Sequence, residues 1–328
     1  MNPEKSQMQH EPDESWCLFG AEALLKRLNA LAQEIGGVRE AEDIECIHRM
    51  RVASRRLRSA LALFNQCFPD GSVKKWKKRI RLITRSLGSA RDLDVQIDFL
   101  QTFLTNLEEL RYHAGIKRLI LRLRQQRGKL QIRVLEAIDK LEENSVLKEM
   151  EELSQQIRAH ALLHHVDERP LSIYQRSYLA ISSRLGKLVA YEPYVHQPDR
   201  VEELHAMRIA AKRLRYTMEV FAPLYQDELE RPLEAAREAQ TKLGDLHDCY
   251  LWTQYLPQFM EEERIRMLEY FGHTRTFSRL KSGILHLQQD RQQHWTGYYE
   301  EFLGFWLQIQ NQGVWEDLLR HISHQALG

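Results

Sequence analysis

Residues 48–64 read His48-Arg49-Met50-Arg51-Val52-Ala53-Ser54-Arg55-Arg56-Leu57-Arg58-Ser59-Ala60-Leu61-Ala62-Leu63-Phe64. On a helix, which turns by about 100° per residue, His48, Arg51, Arg55 and Arg58 fall within roughly 80° of one another. Met50, Ala53, Leu57, Leu61 and Phe64 fall on another side, centred about 140° from that basic stripe. The stretch therefore predicts a helix with one apolar face for a core and a separate cationic face.

The same pattern returns later in the chain. His205-Ala206-Met207-Arg208-Ile209-Ala210-Ala211-Lys212-Arg213-Leu214-Arg215 runs on to Phe221 at an offset of 157, and eight of 17 positions are identical. Leu87-Gly88-Ser89-Ala90-Arg91-Asp92 matches Leu243-Gly244-Asp245-Leu246-His247-Asp248 at an offset of 156. Two ordered matches at nearly one offset imply a duplicated half-domain, since the period is far beyond that of a solenoid. The half-repeats span 15–165 and 170–328, joined by the polar, proline-ended Val166–Pro170. Residues 1–14 are expected to form a disordered or extended N-terminus before a single domain over 15–328.

Glycine (15) and proline (9) are scarce among 328 residues, which favours an all-α fold. Apolar residues recur at three and four over roughly 17–35, 42–67, 72–87, 92–110, 112–143, 145–163, 171–190, 201–222, 228–243, 247–258, 273–309 and 314–325. Short connections imply antiparallel neighbours, hence two pseudo-symmetric antiparallel helical bundles. The N-terminus is polar and acidic, without the apolar core of a signal peptide, and no run is long enough to span a membrane. Cys17, Cys46, Cys67 and Cys249 form no CxxC pair and are expected to be thiols in a reducing compartment. A cytoplasmic location follows, with no membrane partner.

The formal net charge is +1, so any anion site must arise from local segregation of charge. From His48 to Arg91 there are 13 Lys/Arg and one acid, Asp70. Lys74, Lys78, Arg81 and Arg85 share one face of the second helix, opposite Trp76, Ile80 and Ile83. A third stripe includes Arg118 and Arg122, with a weaker counterpart at Arg275 and Arg279. A solvated face normally mixes signs at i, i+4, because like charges there are destabilising. Stripes of one sign on consecutive helices imply an anion between them. Guanidinium forks suit phosphate oxygens, and the spacing along a stripe suits a polymer charged at every unit.

The pattern HxMRxAxRRLRxxxxxF followed by LGxxRDxDV resembles the CHAD family, the conserved-histidine α-helical domain. The resemblance implies paired helical bundles with a basic groove or pore, and non-catalytic binding of inorganic polyphosphate without a cofactor. It implies phosphate contacts from His48, Arg51, Arg55, Arg58, Lys74, Lys78, Arg81 and Arg85, and from His205, Arg208, Lys212 and Arg215. In the second half the counterparts of the Lys74 helix are Glu230, Glu234, Arg237 and Thr241, and only Arg237 remains a candidate. Seven Lys/Arg face seven acids between His205 and His247, so the basic surface should be lopsided. Arg91, Asp92, His247 and Asp248 follow a glycine expected to end a helix, and are read as supports, with the Asp capping the next helix or holding a stripe arginine. Association with polyphosphate granules would follow from such binding. Single-stranded nucleic acid is the alternative polyanion, disfavoured because the stripes carry almost no stacking aromatics. His247-Asp248 also resembles the pair of HD-type metal phosphohydrolases, but its repeat partner is Arg91-Asp92, no HxxxH or HExxH occurs, and no metal is expected.

Overall fold

The computed structural model describes residues 13–40 and 43–328. Among them there are eleven α-helices, four short 3-10 turns and no strand. The helices are α1 (Glu14–Ala32), α2 (Ile35–Glu40), α3 (Ile44–Leu63), α4 (Asp70–Thr105), α5 (Leu110–Glu143), α6 (Val146–Leu163), α7 (Leu171–Val189), α8 (Val201–Phe221), α9 (Glu230–Phe271), α10 (Phe277–Asn311) and α11 (Val314–Leu327). No helix among the described residues is long and apolar enough to cross a membrane. Most of the stretch expected to be disordered or extended, 1–14, lies outside the described residues. At its end Asp13 caps α1, its carboxylate accepting from the Trp16 N–H at 3.0 Å, and Glu14 is already helical.

Two expected breaks are absent. The segments 72–87 and 92–110 merge into α4, and 228–243 and 247–258 into α9. Gly88 and Gly244 therefore lie inside helices rather than at their ends. A glycine in a helix interior costs only about 1 kcal/mol, which the buried faces of these long helices outweigh. At Gly244 the missing side chain also leaves room, since a Cβ there would stand 3.2 Å from Nε of Arg208.

The chain packs as two compact units, whose borders fall within α4, α5 and α7 and so differ from the sequence half-repeats. One unit comprises the chain to Arg85 together with Ala137–Arg176. Here α1 packs on α3 and α6. The apolar face read from residues 48–64 is its centre, with Met50, Leu57, Leu61 and Phe64 fully buried. Phe64 seats against Trp16, ring centroids 4.7 Å apart, directly over Gly20, where any Cβ would collide with its ring. Trp76, Ile80 and Ile83 of α4 are equally buried. A disulfide joins Cys17 to Cys67 across a separation of 50 residues. This corrects the expectation of four thiols: only Cys46 and Cys249 are free. Pairing so distant leaves no spacing signature. Closing such a loop restricts the unfolded chain by about 4 kcal/mol.

The other unit comprises Ser86–Glu136 and Ser177–Gly328. Its core joins Leu100 of α4, Leu119 and Leu123 of α5, Leu256 and Phe259 of α9, and Leu287 of α10. α9 packs along α8 and α10. Helices α5 and α10 meet backbone to backbone at Gly115 and Gly283. A Cβ on Gly115 would strike the Leu280 carbonyl oxygen, and one on Gly283 would strike that of Tyr112. Backbone cannot yield as a side-chain tip can. Gly283→Ala is therefore expected to cost at least about 2 kcal/mol, seen as a lower midpoint in denaturant unfolding. A midpoint equal to wild type would show that the crossing is loose.

Candidate functional site

In the first unit, α3 and α4 carry the predicted stripes. His48, Arg51 and Arg55 are half-buried, while Arg58, Lys74, Lys78, Arg81 and Arg85 are exposed. The pairing pattern separates stripe from surroundings. Off the stripe, Arg49 meets Glu34 at 2.8 Å, Lys75 meets Glu149 at 2.7 Å, and Arg79 donates to Asn144 at 3.2 Å. On the stripe, Arg55, Arg58, Lys74, Lys78, Arg81 and Arg85 form no ion pair among the described residues. Lys77, which flanks the α4 face and was not predicted, is also unpaired. Glu34 and Glu149 are thus spent on cations that point elsewhere.

Three of the stripe cations, Arg55, Arg58 and Arg81, come close enough to act on one another. Solvent reaches Arg58, yet the protein packed around it, then Arg81 and Arg55, hold its guanidinium below the usual arginine range. Like charges from two helices therefore act on one another here, with no local carboxylate to relieve them. Arg49 is the opposite case, since its hydrogen bond to Glu34 pushes its pKa up.

In the second unit, α8 presents His205, Arg208, Lys212 and Arg215, all half-buried. His205 packs against His247 of α9 with ring centroids 3.9 Å apart and the ring planes tilted by 33°. Nδ1 of both rings and Nε of Arg208 are buried without a hydrogen-bond partner. Burial, then Arg208 and Lys212, lower the pKa of His205. Burial, then His205 and Arg208, bring that of His247 down to about 4. Solvent reaches Asp248, but the protein around it, with Asp245 and Asp92 nearby, pushes its carboxyl up to about 6 against the pull of Arg208. Because α4 and α9 run on without a break, Asp92 and Asp248 cap no helix, which corrects the capping role read from the glycines. Asp248 acts on Arg208 through its charge, and His247 through its contact with His205. Arg91 is half-buried inside α4, and its charge reaches Asp94. Among the described residues no three His, Cys, Asp or Glu side chains are grouped as metal ligands.

Several predicted contacts are already neutralised. Arg122 meets the buried Glu263 at 2.5 Å, and Arg118 lies 3.8 Å from the same carboxylate. Both were read as phosphate contacts, but their charge is used inside the unit. Arg215 meets Glu219 at 3.5 Å and lies over the Tyr216 ring. Arg237 meets Glu234 at 2.5 Å on the surface. Arg275 is exposed between α9 and α10. Arg279 lines an open depression of about 400 Å³ with Leu110, Arg111, Ala114, Ser278 and Ser282, at the starts of α5 and α10, to which α8 contributes nothing.

Two buried acids were not anticipated. Asp94 of the LGxxRDxDV stretch meets Arg127 at 2.6 Å, and burial raises its pKa. Glu263 also accepts from Arg266 at 2.6 Å. Burial opposes its charge, but Arg122 and Arg266 together hold its pKa below the usual glutamate range. Glu263 ends a run of three glutamates, so the sequence does not single out the buried one. Glu263→Ala should cost about 2–3 kcal/mol in stability, less than a wholly buried pair because its arginines reach water. Thermal or denaturant melts would read this loss, and an unchanged midpoint would show the cluster to be solvated.

A model of the CHAD domain family matches residues 22–257. Two uncharacterized proteins of Mycobacterium tuberculosis, from strains CDC 1551 / Oshkosh and H37Rv, are each 30% identical over 237 residues, which is 66% of this chain and 41% of each of theirs. The crystal structure of the CHAD domain from the plant Ricinus communis superposes with a TM-score of 0.62 at 21% identity, covering 87% of this chain and 91% of that one. That likeness concerns the fold. The match to the family model extends over α3, α4 and α8 and into α9, the helices that carry the basic stripes and the histidine pair, and on that ground the chain belongs to the CHAD domain family.

Proposed function

We propose that this CHAD domain binds inorganic polyphosphate without acting on it. One observation carries the reading: off the stripes Arg49 and Lys75 have carboxylate partners, while Arg55, Arg58, Lys74, Lys78, Arg81 and Arg85 have no ion pair among the described residues. A row of uncompensated guanidinium and ammonium groups is what a chain of phosphates neutralises, one after another. The duplication belongs to the same reading. Two pseudo-symmetric bundles each bring a His-Arg helix, with the unit that contains α3 supplying more unpaired charge. Location in the cytoplasm, at polyphosphate granules, completes the proposal.

Binding through some six or more phosphate contacts should weaken by roughly 10³-fold or more between 50 and 200 mM salt. Arg55→Glu with Arg81→Glu is expected to lower affinity by at least about 100-fold in ~0.15 M salt, where exposed charges are only moderately screened. The melting temperature should stay the same or rise, because mutually repelling cations are removed. Unchanged affinity in isothermal titration would remove these residues from the site. Single-stranded RNA competing equally with polyphosphate at matched salt would move the assignment to nucleic acid.

The disulfide tests the location. In a reducing compartment Cys17 and Cys67 are expected to be kept as thiols. Acid quenching of cells and alkylation under denaturing conditions, which exposes the buried Cys46 and Cys249, should then give four labelled cysteines by mass spectrometry. Two labelled cysteines would show that the bridge persists and would place the protein in an oxidising compartment.

A further inference from the structure

His205, and His247 beside it, differ from the arginine and lysine contacts because their charge is not fixed. Their rings touch, at 3.9 Å between centroids. Two imidazolium ions in such contact repel each other, so the free pair is held neutral at pH 7 by burial and by the cations beside it. The groups acting on this cluster come from several helices. Arg208 and Lys212 lie on α8 with His205. Asp245 and Asp248 lie on α9 with His247, and Asp92 of α4 adds to the negative charge at Asp248. Lys242 of α9 and Glu301 of α10 act on Asp245. The buried Nδ1 of each ring has no partner, so it is the remaining edge of each half-buried ring that a ligand can meet.

Resting on the polyphosphate reading, we propose that phosphate binding at this cluster is proton-linked: His205 and His247 take up protons as phosphate oxygens come against them and Arg208. A nearby anion favours the imidazolium and offsets the repulsion from Arg208 and Lys212. The carboxyls act in the same direction. Asp248, pushed up to about 6, is driven further toward its protonated form by an approaching anion. In the free chain the His247 ring, brought down to about 4, resists protonation below its unfolded value near 6.5. Protonation in that window works against the free native state, and bound phosphate reverses the preference. Affinity therefore rises as pH falls from 8 toward 5.5. Each proton taken up contributes up to tenfold per pH unit.

The test is isothermal titration of the full chain with long-chain polyphosphate, whose few terminal groups contribute negligible titration. Runs at pH 5.5 to 8 in ~0.15 M salt, in buffers of different ionisation enthalpy, give both affinity and proton uptake. Wild type should bind roughly tenfold or more tightly at pH 5.5 than at 7.5, with net proton uptake. The double variant His205→Gln/His247→Gln should lose most of the pH slope and of the proton uptake, whatever affinity it keeps at pH 8. Asp248→Asn should keep the larger part of it. Circular dichroism confirms that each variant is folded. NMR of the imidazole C2 protons gives a second readout: the His247 midpoint should move up by more than one pH unit on adding polyphosphate. Tight binding with no proton uptake, or a double variant with the wild-type slope, would overturn this inference and leave the polyphosphate reading standing. Wild type that binds at no pH would overturn both.

Discussion

Repulsion between like charges is tolerated on α3 and α4 because the opposite faces of both helices are fixed in the core. Arg58 is held below its usual range first by the protein packed around it and then by Arg81 and Arg55. A like-charge pair on a helix costs a few tenths of a kcal/mol. Burying one large apolar side chain contributes about 1.5–3 kcal/mol. Met50, Leu57, Leu61, Phe64, Trp76 and Ile80 are all fully buried, so packing outweighs the repulsion several-fold. The exposed stripe cations are therefore tolerated without the core depending on them.

The two units solve their charge problem differently. The unit containing α3 gives acids to off-stripe cations, as at Arg49–Glu34 and Lys75–Glu149, and leaves Arg55, Arg58, Lys74, Lys78, Arg81 and Arg85 without an ion pair among the described residues. The unit containing α8 places acids among its cations. Glu263 gathers Arg118, Arg122 and Arg266, Glu219 takes Arg215, and Asp245 and Asp248 lie near Arg208. The near balance of seven basic and seven acidic residues between His205 and His247 has this physical form. What remains uncompensated there is small and rests partly on histidines, whose charge depends on their surroundings.

Residues 48–64 were legible because one helix carried two signals at one period. The apolar positions that set the helix phase also fixed where the cations must point, and α3 has both faces where the spacing put them. Charge alone was less informative. Arg118 and Arg122 share a stripe as regular as that of Lys74 and Lys78, but their partner Glu263 is about 140 residues away and lies in an acidic run. A stripe says which side chains lie together. It does not say whether a distant carboxylate reaches them first. The Cys17–Cys67 bridge escaped for the same reason, since proximity through packing leaves no local spacing to read.

Gly88 and Gly244 misled in a different way, because glycine has two uses that look alike in sequence. It can end a helix by adopting positive φ, as Gly272 does at 70° after α9. It can also stay helical and let another group approach, as Gly244 does for Arg208. Only the second use keeps α9 continuous through His247, and that continuity brings the ring against His205. Had Gly244 ended the helix, Asp248 would have been free to cap the next one, and its carboxylate would have been satisfied by backbone N–H groups. Instead it stands near Asp245, Asp92 and Arg208 with its pKa raised to about 6. The absent side chain at Gly244 thus leaves room for the guanidinium of Arg208, whose charge acts on His247 and Asp248.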